Sequence, residues 1–302
     1  MNHNLEKVFQ KLDETLLDKK QAIRLATACL LARGHLLLED LPGMGKTTLA
    51  SALARLMGLD YKRVQFTSDM LPADLIGMSI FNANTQEFEF KPGPVFTQIL
   101  LADEINRGSS RTQSALLEAM AEYQVSADKN TYQLPKPFFV IATQNPQDQS
   151  GTFALPESEL DRFTMRIEIG YPSLAAEKRM LSGTYGKTDL SPVFNTHDLL
   201  KMQAEVDMIS VSDEALNYLL RLVNATRTSG KIPNPLSPRA SKALLSCAKA
   251  WAYINGRDYI LPDDVQAVFP YVAEHRMRRG VGTAGSGNTL SRMIIDTVDP
   301  LN

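Results

Sequence analysis

The chain has 302 residues, 44% of them hydrophobic and 22% charged, enough to bury a real core in one large domain or two modest ones. Its formal net charge of -2 gives no global basic field, so no nucleic acid is expected as the main partner. No stretch approaches the about 18 consecutive apolar residues of a membrane span, and the charged N-terminus lacks an apolar leader, so the expected location is cytoplasmic.

The first clear helix pattern covers 21–33, and a short apolar run from His35 to Glu39 reads as a buried strand. Beyond the glycine-bearing turn 40–45, Leu49, Leu53, Leu56 and Met57 keep helical spacing until Gly58. YKRVQF (61–66) comes next. The β-like runs 77–81 and 87–90 flank the turn formers NANTQ and predict a hairpin. Strand-like runs recur at 99–102, 138–142 and 165–169, with a helix expected over 111–122. Strands alternating with helices imply an α/β layer around a parallel sheet. From about 173 the pattern turns all-helical. Leu216, Leu219, Leu220 and Val223 predict a buried face behind a Ser212 cap, and Ser237, Pro238 and Gly256 bracket another helix. A third starts at Pro262, with Val265, Val268, Phe269 and Val272 inward, and Pro270 is expected to kink or divide it. The glycine-rich 280–288 reads as a mobile loop. Its Gly280–Gly285 letters match GxGxxG but follow a basic helical segment, not a strand, so no dinucleotide site is expected there. Cys29 and Cys247 read as buried free thiols of a reducing compartment, and the four histidines show no metal-ligand spacing.

Asp40-Leu41-Pro42-Gly43-Met44-Gly45-Lys46-Thr47 joins a strand to a helix, the setting in which backbone N–H groups and a helix N-terminus converge on an anion. Gly43 and Gly45 allow the tight path, Lys46 would reach β- and γ-phosphates, and the Thr47 hydroxyl would ligate Mg²⁺. The pattern wants glycine where Asp40 stands, so Asp40 is expected to turn outward. The strand 99–102 then delivers Asp103 and Glu104 at the edge where open α/β sheets bind ligands. Asp103 can hold Mg²⁺, and Glu104 can polarise the water that attacks a γ-phosphate. Asn145 ends the run FFVIATQN; alone it would be an ordinary turn residue before Pro146. Arg162 precedes the last strand. Arg239 lies in the first turn of a capped helix, where a cation opposes the macrodipole, and a nearby anion would account for it.

The stretches GHLLLEDLPGMGKTTLA, LLADEINRGSSRTQSALLEAMAEYQV, FFVIATQNP, LPESELDRF, SPRAS and GRDYILPDDV, with the block 65–96, resemble the MoxR branch of AAA+ ATPases in order and spacing over roughly residues 20–275. The resemblance implies an AAA+ P-loop αβα sandwich over 1–172 and a smaller helical lid over 173–302, assembled as a homo-oligomer, commonly a hexameric ring. It implies ATP and Mg²⁺ as cofactors. Pro42 to Thr48 would form the Walker A contact, with Asp103 and Glu104 as Walker B, Asn145 as sensor 1, Arg162 as the arginine finger and Arg239 as sensor 2. A finger reaches the neighbouring subunit's γ-phosphate and is typically worth ~10³–10⁵ in rate. Residues 67–94 look like the client-facing helix-2 insertion, and 124–134 like the pre-sensor-1 hairpin. Where the family often has Gly-Gln near the adenine this chain has Asp18-Lys19, which leaves base selectivity open. The function implied is a chaperone-like ATPase that remodels or matures partner proteins, with von Willebrand factor A domain proteins as clients. A nucleic-acid motor, a magnesium-chelatase-type motor subunit and a nucleotide-gated scaffold are the alternatives.

Overall fold

The computed structural model describes residues 3–127, 130–145, 152–153, 155–182, 188–278 and 288–300. The glycine-rich segment 280–287, with its GxGxxG letters, lies outside the described residues. Helices α1 (His3–Thr15) and α2 (Lys20–Leu31) precede β1 (Leu36–Glu39), α3 (Lys46–Leu56) and β2 (Tyr61–Gln65). A short α4 (Pro72–Ile76) opens the hairpin β3 (Gly77–Asn82) and β4 (Glu87–Pro92). β5 (Ile99–Asp103) leads through a single 3₁₀ turn to α5 (Ser110–Glu122), the hairpin β6 (Gln124–Ala127) and β7 (Asn130–Gln133), and then β8 (Phe139–Gln144). α6 (Glu157–Leu160) and β9 (Met165–Ile167) follow. The rest is helical: α7 (Leu174–Leu181), α8 (Thr196–Asp207), α9 (Asp213–Thr228), α10 (Pro238–Ile254), α11 (Pro262–Met277) and α12 (Thr289–Thr297).

Five strands form a parallel sheet in the order β2-β5-β8-β1-β9. Every residue of β5 and β8 is buried, as expected where helices cover both faces of a parallel sheet. Successive side chains alternate between the two faces. Leu36, Leu38, Ile99, Leu101 and Ile141 enter a core with α1, α2, α3 and the C-terminal helices, whereas Leu37, Leu100, Val140 and Ala142 enter a second with α5 and Phe66. The first core runs without a break from Leu5 to Ile294, joining α2 to α10 and β9 to α11.

Most element expectations hold within one or two residues, and both serine caps are present. Ser212 Oγ accepts from Ala215 N (3.2 Å) and Ser237 Oγ from Ala240 N (3.1 Å). Two expectations need correction. On α9 the buried face is Ala215, Tyr218, Leu219, Leu222, Val223 and Thr226, while Leu216 and Leu220 are exposed. Tyr218 turns the helix, because its ring is buried and its hydroxyl meets the Gln266 amide of α11 at 2.8 Å. Nor does Pro270 divide α11, which continues to Met277. Val268, Phe269, Val272 and Ala273 are fully buried around it, and their packing offsets the one backbone hydrogen bond a proline removes. Helices α1 and α4 were not anticipated. Cys29 and Cys247 are free and buried, and burial pushes the Cys247 thiol up to about 12.

Two hairpins leave the sheet layer. Phe81 and Phe88 meet edge to face at 5.4 Å on the β3–β4 hairpin, yet are 53% and 74% exposed, an apolar tip that the described residues leave uncovered. At its other end Phe90 stacks on Tyr132 of β7, centroids 3.9 Å apart and planes 12° from parallel, which ties the two hairpins together.

His35 stands where β1, β8 and the end of α5 meet. Val140 N donates to its Nδ1 (3.0 Å), so Nε2 carries the proton and faces Met120 O at 3.2 Å. Burial drives its pKa from 6.5 down to about 4. The unfolded chain therefore takes up this proton first as pH falls. The stability this group contributes is intact above about 6.5, and on the order of 3 kcal/mol of it is lost as pH falls toward 4. Thermal melts of wild type from pH 7 to 4.5 should show the decline, and His35→Gln should flatten it; equal slopes for the two proteins would contradict this account.

Candidate functional site

The site lies at the C-terminal edge of the sheet. Strand order puts the end of β8 between the ends of β5 and β1, so Asp103, Asn145 and the loop after β1 are neighbours although distant in sequence. The loop takes positive φ at Gly43 (83°) and Gly45 (91°), a region closed to most side chains. A Cβ on Gly45 would also come within 2.9 Å of Leu16 Cδ2. Gly45 cannot cap α3, and no acidic residue occupies that helix's first turn, so its positive end is left for an external anion. Lys46 is half-buried and its Nζ donates to Asp40 O (2.6 Å); Pro42, Thr47 and Thr48 are exposed, and Met44 packs against the first core.

Asp40 does turn away from the loop. Its Oδ2 accepts from the backbone N–H of Ile169 (2.5 Å) and Gly170 (2.8 Å) just beyond β9, and Lys19 Nζ donates to Gly170 O at 2.8 Å. The carboxylate is thus spent on bracing the loop against the sheet edge. Burial pulls the Lys19 pKa down, opposed by Asp18 and Asp40.

Asp103 is buried. Thr143 Oγ1 donates to its Oδ1 (2.6 Å), and Arg63 of β2 donates to its Oδ2 through Nε (3.0 Å) and Nη2 (2.6 Å). Glu104 sits at φ 54°, ψ 51°, an unusual left-handed conformation for glutamate. Its N–H donates to Thr143 Oγ1 (2.8 Å), so one hydroxyl orients both acids. Glu104 Oε2 accepts from Gln65 Nε2 (2.7 Å) and pairs with Arg107 Nε (3.0 Å), which holds the carboxylate toward β2. Asn145 is buried at the tip of β8.

The structure brings together the loop, Asp103, Glu104 and Asn145, but not the two arginines. Arg162 donates Nη1 to Leu117 O of α5 (3.1 Å), in the layer across the sheet from α3. Arg239 is exposed on the first turn of α10. Sequence reasoning missed Arg63, Gln65, Arg107 and Thr143. Nothing in the strand β2 marks Arg63 and Gln65; only the pairing of β2 with β5 places them beside the acids.

A parallel sheet with a phosphate-type loop after its fourth-placed strand, acids at the neighbouring strand tip and a helical bundle packed behind defines an AAA-type P-loop ATPase. Residues 35–165 match the ATPase family associated with various cellular activities (AAA), and 224–292 match the AAA lid domain. The chain is 46% identical to the uncharacterised Bacillus subtilis protein YeaC, over 90% of this chain and 86% of that one. It is 38% identical to chaperone MoxR1 of Mycobacterium tuberculosis, over 91% and 76% respectively. The crystal structure of a Cytophaga hutchinsonii protein assigned as an ATPase superposes with a TM-score of 0.87 at 35% identity, covering 98% of this chain and 94% of that one. The chain belongs to the MoxR family of AAA+ ATPases.

Proposed function

We propose that this protein is a chaperone-like ATPase whose hydrolytic site is the sheet edge formed by the loop 42–48, Asp103, Glu104 and Asn145. The observation that carries the reading is the convergence of an uncapped α3 N-terminus and two oriented acids on one edge. The residues fit ATP and a divalent cation. Asp103 already receives a cationic guanidinium on Oδ2, and the glycine loop keeps backbone donors and Lys46 at the mouth of α3. Among the described residues no cluster of three or more His, Cys, Asp or Glu is poised to hold a metal. Mg²⁺ commonly takes one or two protein ligands, with phosphates and water completing its shell. Thr47 and Asp103 would be those ligands, and the bound cation would neutralise charge developing on the phosphates.

The chain's own groups divide the remaining work. Lys46 and the first-turn N–H groups of α3 bind the phosphate oxygens. Glu104, released from Gln65 and Arg107, orients the attacking water and takes its proton, and Asn145 fixes that water from the next strand. Thr143 keeps both acids in place throughout. Arg162, directed away from its own loop, serves as a finger toward a neighbouring subunit in a homo-oligomeric ring, hexameric by family resemblance. Arg239 serves as sensor 2 on a lid made from the helices after residue 172.

The apolar tip of the β3–β4 hairpin supports a protein-client role, because Phe81 and Phe88 expose more ring than folding alone would leave. The 67–94 region is read as the client-facing insertion, and von Willebrand factor A domain proteins are the proposed clients. The relative named chaperone MoxR1 supports the chaperone reading. Among the described residues no helix is long and apolar enough to cross a membrane. The test is capture on an immobilised von Willebrand factor A domain with ATP present. Wild type should be retained and Phe88→Ser released with ATPase activity intact; equal retention, or none for wild type, would remove the client assignment.

A further inference from the structure

Arg162 sits in a turn that the C-terminal helices grip on several sides. Arg276 of α11 donates Nε to Asp161 Oδ1 (2.7 Å), and its two Nη groups reach the carbonyls of Asp161 (3.2 Å), Phe163 (2.7 Å) and Thr164 (3.1 Å). His275 Nε2 faces Phe163 O at 3.1 Å. Asp161 Oδ2 accepts from Ser237 Oγ (3.4 Å), the residue that caps α10 two positions before Arg239. On the sheet side Thr164 N donates to His35 O (2.8 Å), and a side chain at Gly34 would run within 2.5 Å of Thr164.

The chemistry of this cluster is more specific than packing requires. The Arg276 side chain is only 5% exposed, and a guanidinium leaves water at high cost unless its donors are matched. Here they are spent on the Asp161 carboxylate, on three carbonyls that bracket Arg162 and on the carbonyl of Val272 one turn back on α11, where apolar contact would join helix to turn equally well. Asp161 contacts both α11, through Arg276, and the Ser237 cap of α10. It therefore joins the helix bearing Arg239 to the residue preceding Arg162.

We propose that Asp161 is a positioning residue through which helices α10 and α11 set the orientation of Arg162, so that lid position and the arginine offered to a neighbouring subunit change together. The inference rests on the reading of Arg162 as a finger. A rotation of α10 and α11 as Arg239 engages nucleotide is passed through Asp161 to the turn 161–164, and from there to the next site. The contact with Leu117 O gives Arg162 a resting position from which that turn moves it.

The test uses the full chain carrying Asp161→Asn, which keeps an acceptor oxygen and removes the charge facing Arg276. ATP affinity, read with a fluorescent ATP analogue, should stay within about threefold of wild type, while kcat falls at least about tenfold. Mixing with Glu104→Gln, whose Arg162 is sound, should restore part of the rate; mixing with Arg162→Ala should restore none. A wild-type kcat, a loss of ATP affinity matching the loss of kcat, or rescue by Arg162→Ala would each overturn the proposal. The pair Arg162→Ala with Glu104→Gln separates the two readings. If that pair fails to recover, the finger reading falls; if it recovers and Asp161→Asn does not, only the role of Asp161 falls. Should Asp161→Asn fail to fold by circular dichroism, Arg276→Lys keeps the charge, loses the fork, and is held to the same outcomes.

Discussion

Arg162→Ala is expected to lower kcat by ~10³–10⁵, the range for a finger that stabilises charge on a transferring phosphoryl group. The same change should leave ATP binding within about threefold, since under the proposed function the residue serves a different subunit's site. Its placement supports this division. Arg162 bonds to α5 in the layer across the sheet from α3, while Lys46 and the glycine loop sit at the mouth of α3. A residue that acted on its own subunit's nucleotide would change affinity and rate together. Steady-state ATPase assays beside equilibrium binding on the same preparation read both quantities. Full activity in Arg162→Ala would remove the finger assignment outright.

Glu104→Gln should reduce hydrolysis by about 10²–10⁴ while ATP remains bound, the size expected when a positioned general base is lost. Glutamine is nearly isosteric, so the left-handed backbone at 104 and the bond from Glu104 N to Thr143 survive the change. What goes is the carboxylate charge that Gln65 and Arg107 hold in the resting arrangement. Retained ATP on a column-purified variant, together with a collapsed rate, is the expected result. A matched loss of binding and turnover would mean that Glu104 supports the loop instead of the water.

The loop and the acids were legible in the sequence because each is a local event: glycines between a strand and a helix, and two acids ending an apolar run. Sheet order then made neighbours of Asp103, Asn145 and the loop, as that pattern implied. Residues recruited across strands were not legible. Arg63 and Gln65 lie in a polar edge strand whose letters point to no chemistry, and Thr143 counts only because β8 pairs with β5. The same limit applies to α9, where counting leucines missed that a buried tyrosine decides which way the helix faces. Pro270 misled in the opposite direction, since a local rule gave way to the packing of its neighbours. Asp40, which breaks the usual loop pattern, proved to be a brace reaching Ile169 and Gly170, a contact spanning far too much sequence for any local rule to foresee.

The measurement that tests the shared site most directly is the ATPase rate of Arg162→Ala mixed with Glu104→Gln, against each variant alone. One variant keeps sound loops and acids, and the other keeps sound fingers, so mixed assemblies should contain complete sites. Activity in the mixture well above the sum of the two parts is the predicted result. A mixture no more active than its parts, with both variants shown to exchange into common assemblies, would contradict a site built by two subunits.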